Sequence, residues 1–299
     1  TIEVSFDRTC NFACSYCNSG YSTTWGKDIK KNGAYQKFKT TSAGAYYADG
    51  SWSEIYGKHN ENNPYVDAFL EWWPDITKTL QEIRVTGGEP TMSHNFWQFM
   101  EEVKKYPSPN LRVAINSNLG VNQETIDKLI NVTHEIDVKE FDIYTSNESY
   151  GAHAEYIRDG LNYELWRKNL VQVIELPDDI KHDLHGKLSM WWRKNKKNPL
   201  INMYEGAQIQ RLVDYIEVVN RGHNTTETDM QMQFHDFKSF YTQYDKRRKK
   251  SFVETFPELE EWYNSLVIDE TIPNVRVTDG RITHYEPGEY ISDKDNYNK

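Results

Sequence analysis

Short strand-like runs alternate with amphipathic helical patterns through residue 175, and this alternation constrains the fold of the chain more than any other feature. Residues 2–6 alternate apolar and polar side chains with the period of a half-buried strand. Val66, Phe69, Leu70, Trp73, Ile76 and Leu80 recur at three- and four-residue steps, which predicts a helix over 66–80, kinked or split at Pro74. A second strand is expected at 82–85, and Ser93 is placed to cap a helix running to Lys105. A third strand follows at 111–115, with Asn122 capping a helix to about Val132, then a fourth strand at 140–145. Residues 152–175 carry a helical pattern broken near Gly160. Strands that alternate with helices need crossover connections, and these are right-handed, so the pattern implies an α/β fold with a parallel sheet.

Beyond Pro177 the periodicity weakens. A fifth strand is expected at 188–192, a helix at 207–219 with Ile209, Leu212, Val213 and Ile216 on its apolar face, and a sixth strand at 231–234. Residues 240–266 read as helical, interrupted by Pro257. Asp279-Gly280 between alternating runs predicts a hairpin over 275–283. Residues 20–63 are rich in Gly, Ser, Thr, Asn and Tyr with little periodicity, and read as a long irregular insertion suited to a lid. We therefore expect a core over 1–238 and a C-terminal helical and hairpin extension over 239–299.

A chain of 299 residues suits one or two domains. Apolar residues make up only 37%, but 9 Trp, 20 Tyr and 12 Phe allow a core built from fewer, larger side chains. The net charge of -10 argues against a nucleic-acid footprint, which would be basic. No apolar run approaches the ~20 residues of a membrane helix, and the first residues lack a basic-then-apolar signal pattern. Thr1 already stands in a strand-like run, so a natural start upstream is expected. Only three Cys occur, all within one short stretch, where a secreted disulfide framework would spread an even number along the chain. A reducing, cytoplasmic location is expected.

Those cysteines are Cys10, Cys14 and Cys17, spaced C-x3-C-x2-C in the loop after the first strand. Three thiolates at this spacing can hold an iron–sulfur cluster and leave one iron open to a small molecule. A structural zinc would need a fourth ligand, and the nearest downstream His is His59. Three buried free thiols are the other reading that the spacing allows.

The motif, with Tyr16 just before its last Cys, resembles the radical S-adenosylmethionine (SAM) superfamily. The second strand then runs into Gly87-Gly88-Glu89-Pro90, similar to that superfamily's second motif; alone it would be read as a strand-to-helix turn. The resemblance implies a partial (β/α)6 barrel, open on one side, with a [4Fe-4S] cluster on Cys10, Cys14 and Cys17. It implies that the open iron chelates SAM, with backbone around Tyr16 near the adenine. Glu89 and the Gly87-Gly88 backbone would then receive the methionyl ammonium. Arg158 resembles the helix Arg that binds the SAM carboxylate in related enzymes, Ser146 would contact the same molecule, and Asn116 and Ser117 look placed for the ribose. One electron to SAM would give methionine and a 5′-deoxyadenosyl radical that takes hydrogen from a substrate, with flavodoxin or ferredoxin as reductant.

Phe256-Pro257-Glu258-Leu259 and the following hairpin look like the end of the SPASM/twitch subgroup, which tilts the substrate toward a peptide or protein. That segment usually carries auxiliary-cluster cysteines, and this chain has none after Cys17. Lys246-Arg247-Arg248-Lys249-Lys250 reads as a solvated helix face or a phosphate contact. The competing functional class is a non-catalytic iron–sulfur or zinc module associated with nucleic acid.

Overall fold

The computed structural model describes residues 1–38, 61–145, 147, 149–174, 227–269, 271, 275–278 and 281–284. The elements in chain order begin with β1 (Ile2–Ser5), α1 (Thr23–Asn32), α2 (Pro64–Ile76) and β2 (Glu82–Thr86). Next come α3 (His94–Lys105), β3 (Ser108–Ser117), α4 (Gln123–Glu135) and β4 (Val138–Thr145). The later elements are α5 (Gly151–Ile157), α6 (Tyr163–Ile174), α7 (Glu227–Arg248), α8 (Phe252–Thr255), α9 (Glu260–Ser265), β5 (Val275–Thr278) and β6 (Arg281–His284).

The first four strands form one parallel sheet in the order β1-β2-β3-β4. Each new strand joins the edge left by the last, which is how a (β/α) barrel grows. Side chains on a strand alternate between faces, and here the two faces differ sharply. Ile83, Val85, Val113, Ile115, Phe141 and Ile143 are buried in one core with Trp73, Phe96, Phe99, Met100, Ile126, Leu129, Trp166 and Val173 from the helices. The opposite face pairs Glu3 with Arg84, Arg112 with Glu140, Ala114 with Asp142 and Asn116 with Tyr144.

Caps fix where the helices begin. Asn63, Ser93 and Asn122 each accept a backbone N–H at the first turn of α2, α3 and α4. Pro74 lies inside α2, three positions before its C-cap Thr77, and α2 ends at Ile76 rather than continuing to residue 80. A proline there removes one of the last intrahelical N–H donors.

Two further sequence expectations are corrected. Residues 23–32, expected within an irregular insertion, form α1, because Ser22 caps its first turn and Gly33 ends it at φ 77°. Residues 231–234, expected as the sixth strand, lie within the 22-residue α7; a four-residue alternation is too short to tell a strand from a helix turn when helical neighbours extend it. The expected fifth strand at 188–192 and helix at 207–219 lie outside the described residues. The hairpin is observed as β5 paired antiparallel with β6.

The chain divides into two compact units: Thr1–Gly33 with Asp49–Gln210, and Ala34–Ala48 with Arg211–Lys299. The second is built on aromatic rings. Tyr35 stacks on Phe240 at 5.1 Å, Phe252 on Tyr263 at 4.4 Å, and Phe237 meets Trp262 edge-on at 5.4 Å. His235 is fully buried there. Its Nδ1 accepts the Asp269 N–H at 3.0 Å, so its Nε2 carries the proton and donates to the Lys37 carbonyl at 2.6 Å. Part of the basic run packs on rings: Arg247 lies 3.8 Å from the Tyr35 ring centroid and donates to the Ala34 carbonyl.

Candidate active site

The three cysteines sit in an irregular loop directly after β1, and the structure shows what shapes it. Phe12, 1% exposed, anchors the loop. Its ring lies where a Cβ on Gly120 would be, and 3.0 Å from where one on Gly160 would be. Backbone bonds tie the loop to the end of α5 and the chain after it: Ala13 N–H donates to the Asp159 carbonyl at 2.8 Å and Ser15 N–H to the Ile157 carbonyl at 2.7 Å. The start of α1 closes the other side. Ser22 Oγ donates to the Phe12 carbonyl, Thr24 Oγ1 to the Cys10 carbonyl, and Trp25 Nε1 to the Cys14 carbonyl, at 2.6, 2.7 and 2.9 Å. Thr23 Oγ1 accepts the Cys10 N–H at 3.1 Å. These four residues were missed in the sequence; the Ser-Thr-Thr run before Trp25 was the available signal.

Cys14 is buried, and Cys10 and Cys17 are half-buried. Burial pushes the Cys10 thiol up to about 12, partly offset by the Phe12 N–H; Glu89, Cys14 and Cys17 push it further. Burial also raises Cys17, against the Asn18 backbone bond and the Arg158 charge. Burial favours the neutral form of these two thiols, and a bound metal favours the thiolates by displacing the protons. Among the described residues, no three His, Cys, Asp or Glu side chains gather closely enough to hold a single metal ion. A one-loop set of three soft sulfur donors, without nitrogen or oxygen ligands, fits a multi-iron cluster by its chemistry.

The turn after β2 packs against this loop. Glu89 N–H donates to the Thr9 carbonyl at 2.7 Å. A Cβ on Gly87, at φ 118°, would stand 2.6 Å from the Asp7 carbonyl oxygen, and one on Gly88 2.7 Å from the Arg8 carbonyl carbon. The close neighbour that demands glycine here is the chain's own backbone before Cys10. Asp7 fastens the same segment to α3, accepting from Ser93 Oγ and from Asn95 Nδ2 at 3.2 Å.

Glu89 is 1% exposed. Its Oε1 accepts from Thr91 Oγ1 at 2.6 Å, Ser117 Oγ at 2.8 Å and Thr91 N–H at 3.2 Å. Among the described residues its Oε2 accepts only the Asn118 N–H, at 2.5 Å. Burial raises its pKa, and these neutral donors lower it only in part. A buried carboxylate that meets donors but no cation among the described residues is suited to a charged partner.

Arg158 is also buried, at the C-cap of α5, with its guanidinium 5.7 Å from the Tyr16 ring centroid. Tyr16 is exposed. Asn116 and Ser117 point to opposite faces: Asn116 is exposed on the polar face, while the Ser117 hydroxyl is committed to Glu89. Ser146 lies outside the described residues. Cys10, Cys14, Cys17, Tyr16, Gly87, Gly88, Glu89, Asn116, Ser117 and Arg158 thus share the end of the sheet where its strands finish, the end at which (β/α) barrels hold their active sites.

The polar face also carries a charge network, centred on the register row Glu82, Arg112 and Glu140 at the start of β2. Arg112 pairs with Asp142, with Glu140 at 3.3 Å and with Glu82 at 3.5 Å, and donates to Tyr144 Oη at 2.7 Å. Arg84 lies 5.3 Å from the Tyr144 ring centroid. Burial works against the Arg112 charge, but Asp142 and Tyr144 outweigh it and raise its pKa.

Among the described residues no helix is long and apolar enough to cross a membrane. Compared with known families, residues 4–176 match the family described as the Radical SAM superfamily. No curated protein and no solved structure matches the chain.

Proposed function

The chain belongs to the radical SAM superfamily, and from that premise we propose that it abstracts hydrogen from a polar, peptide-like substrate at the strand ends described above. Members of this superfamily are enzymes that use a [4Fe-4S] cluster and SAM and need a reductant, so a non-catalytic metal module is set aside. When bound, the cluster supplies the electron that cleaves the sulfonium bond of SAM and frees the 5′-deoxyadenosyl radical.

Cys10, Cys14 and Cys17 are the residues that would hold the cluster. Glu89 receives the methionyl ammonium through Oε2, the oxygen with a single donor, and Arg158 receives the carboxylate through its planar fork. Asn116 reaches the ribose from the polar face. The part of Glu89 is electrostatic and orienting. Ser22, Thr24 and Trp25 keep the cysteine loop rigid from one side and Gly120 and Gly160 from the other.

The observation that carries this reading is the convergence of three separate segments. The cysteine loop, the Gly87-Gly88-Glu89 turn and the backbone at 157–159 are joined by direct hydrogen bonds. The peptide-like reading of the substrate rests on the polar, charged character of the sheet face that carries Arg84, Arg112, Tyr144 and four carboxylates, and on the likeness of the β5–β6 segment to the SPASM/twitch subgroup. Flavodoxin or ferredoxin is the proposed reductant. Residues 20–63 remain the proposed closure over the radical, with α1 inside that span, and 1–238 and 239–299 the proposed division of labour.

Anaerobic reconstitution tests the reading. We expect about four irons per chain and formation of 5′-deoxyadenosine after dithionite reduction. A peptide fraction from the source cells should stimulate that formation, and protease treatment of the fraction should remove the stimulation. Stimulation that survives protease overturns the peptide assignment.

A further inference from the structure

We propose that Asn118 is a positioning residue that raises the electron affinity of the cluster through the Cys10 sulfur while its backbone holds Glu89. This rests on the assignment of Cys10 as a cluster ligand. Asn118 follows the last residue of β3, and Leu119 after it turns the chain at φ 50°. The orientation of the Asn118 amide is settled by its neighbours. Its Oδ1 accepts the Gly120 N–H at 2.8 Å, so its Nδ2 faces the cysteine loop. That nitrogen has two hydrogens and two acceptors: Asn11 Oδ1 at 2.9 Å and Cys10 Sγ at 3.9 Å.

Asn11 donates in turn to the Gly120 carbonyl at 2.7 Å, closing a ring of bonds among Asn11, Asn118 and Gly120. Asn169, fully buried on α6, donates to the carbonyls of Leu119 and Val121, both at 2.8 Å, and holds that turn from behind. The amide therefore cannot turn away from Cys10 without breaking several other bonds. On its backbone side, the Asn118 N–H is the single donor to Glu89 Oε2 among the described residues. One residue thus touches both a proposed cluster ligand and the proposed ammonium acceptor.

Hydrogen-bond donors at ligand sulfurs disperse the negative charge of a cluster. Reduction adds negative charge, so a donor favours the reduced form. Among the described residues Cys10 has two such donors, the Asn118 side chain and the Phe12 N–H at 3.5 Å.

The test is the midpoint potential of the reconstituted cluster, followed by electron paramagnetic resonance without SAM. Asn118→Ala removes both side-chain donors and keeps the backbone N–H on Glu89. Asn118→Asp keeps an oxygen for Gly120 and turns a charged oxygen toward Cys10. At the wild-type midpoint, the ratio of reduced to oxidised cluster should fall about threefold for Asn118→Ala and further for Asn118→Asp. Wild-type midpoints in both variants at full iron content overturn the proposal. So does loss of the cluster from both, which assigns Asn118 to the folding of its loop. Failure of the cluster assignment itself is distinguishable, because wild-type protein would then take up no iron.

Discussion

The cysteine loop and the aromatic body around α7, α8 and α9 hold their shapes by opposite means. The loop between β1 and α1 has no regular structure, and hydrogen bonds from four directions, with glycine contacts to one phenylalanine, define it. The aromatic body is defined by ring on ring, with Phe252 touching Phe237, Tyr241, Phe256 and Tyr263. Directional bonds fix atoms to within a fraction of an ångström, which is what cluster ligands require. Ring burial is less directional and supplies stability per residue. One region is thus built for placement and the other for cohesion, and the two should fail differently when altered.

The largest expected effect is the loss of chemistry without loss of fold. Replacing Cys10, Cys14 or Cys17 with Ala should abolish iron–sulfur absorbance and SAM cleavage, since an incomplete thiolate set holds the cluster poorly. Circular dichroism of the iron-free protein should stay unchanged. A Cys variant that still cleaves SAM breaks the comparison outright.

Phe252→Ala in the aromatic body should do the reverse. Truncating a fully buried phenylalanine costs about 3–5 kcal/mol, read as a lower denaturant midpoint, while the cluster that does form should keep its wild-type spectrum. A shifted spectrum would mean that cohesion and placement are not separable.

Glu89→Gln and Arg158→Lys sharpen the loop side. Each loses a charge-assisted contact of about 1.5–3 kcal/mol, or roughly ten- to a hundred-fold in SAM affinity. Iron content should not change, because neither residue is a proposed ligand. Titration of SAM at full iron content checks this, and wild-type dissociation constants for both would remove them from the site. Gly120→Ala, which pushes a methyl into the Phe12 ring, should cost about 1–3 kcal/mol and lower iron uptake, measured by metal analysis.

The smallest effect is a pH dependence. Burial raises the pKa of Glu89 above its unfolded value, so its contribution to stability is fully present below the ordinary carboxylate range. That contribution is lost as pH rises through the raised value. Relative to Glu89→Gln, SAM-free wild type should therefore lose stability with rising pH. Bound SAM should cancel the loss by pairing the charge, and thermal melts across pH with and without SAM would reveal it.

Much of the fold was legible because its signals are local. Apolar spacing and the caps Ser93 and Asn122 located α3 and α4 to within a few residues, and strand alternation located β1 to β4. Local signals misled where two periods overlapped, as at 231–234 in α7, and where polar composition hid a capped helix, as at α1. Within the site, the spacing of Cys10, Cys14 and Cys17 and the Gly87-Gly88-Glu89 turn could be read directly, since each lies within a few consecutive residues.

What the sequence by itself determined is therefore the set of parts: a parallel α/β unit, one three-thiol loop, one Gly-Gly-Glu turn and an aromatic-rich remainder. Only the tertiary structure decided how the parts meet. Asn118 reaches Cys10 and Asn11 from more than a hundred positions away; Gly120 is glycine because the Phe12 ring occupies the space a side chain would need, and Gly160 because the Asn11 carbonyl and Phe12 crowd it at φ 104°. The reason is physical. Periodicity and capping act between residues a few positions apart, whereas close packing and hydrogen-bond closure depend on which distant backbone the parallel sheet brings alongside.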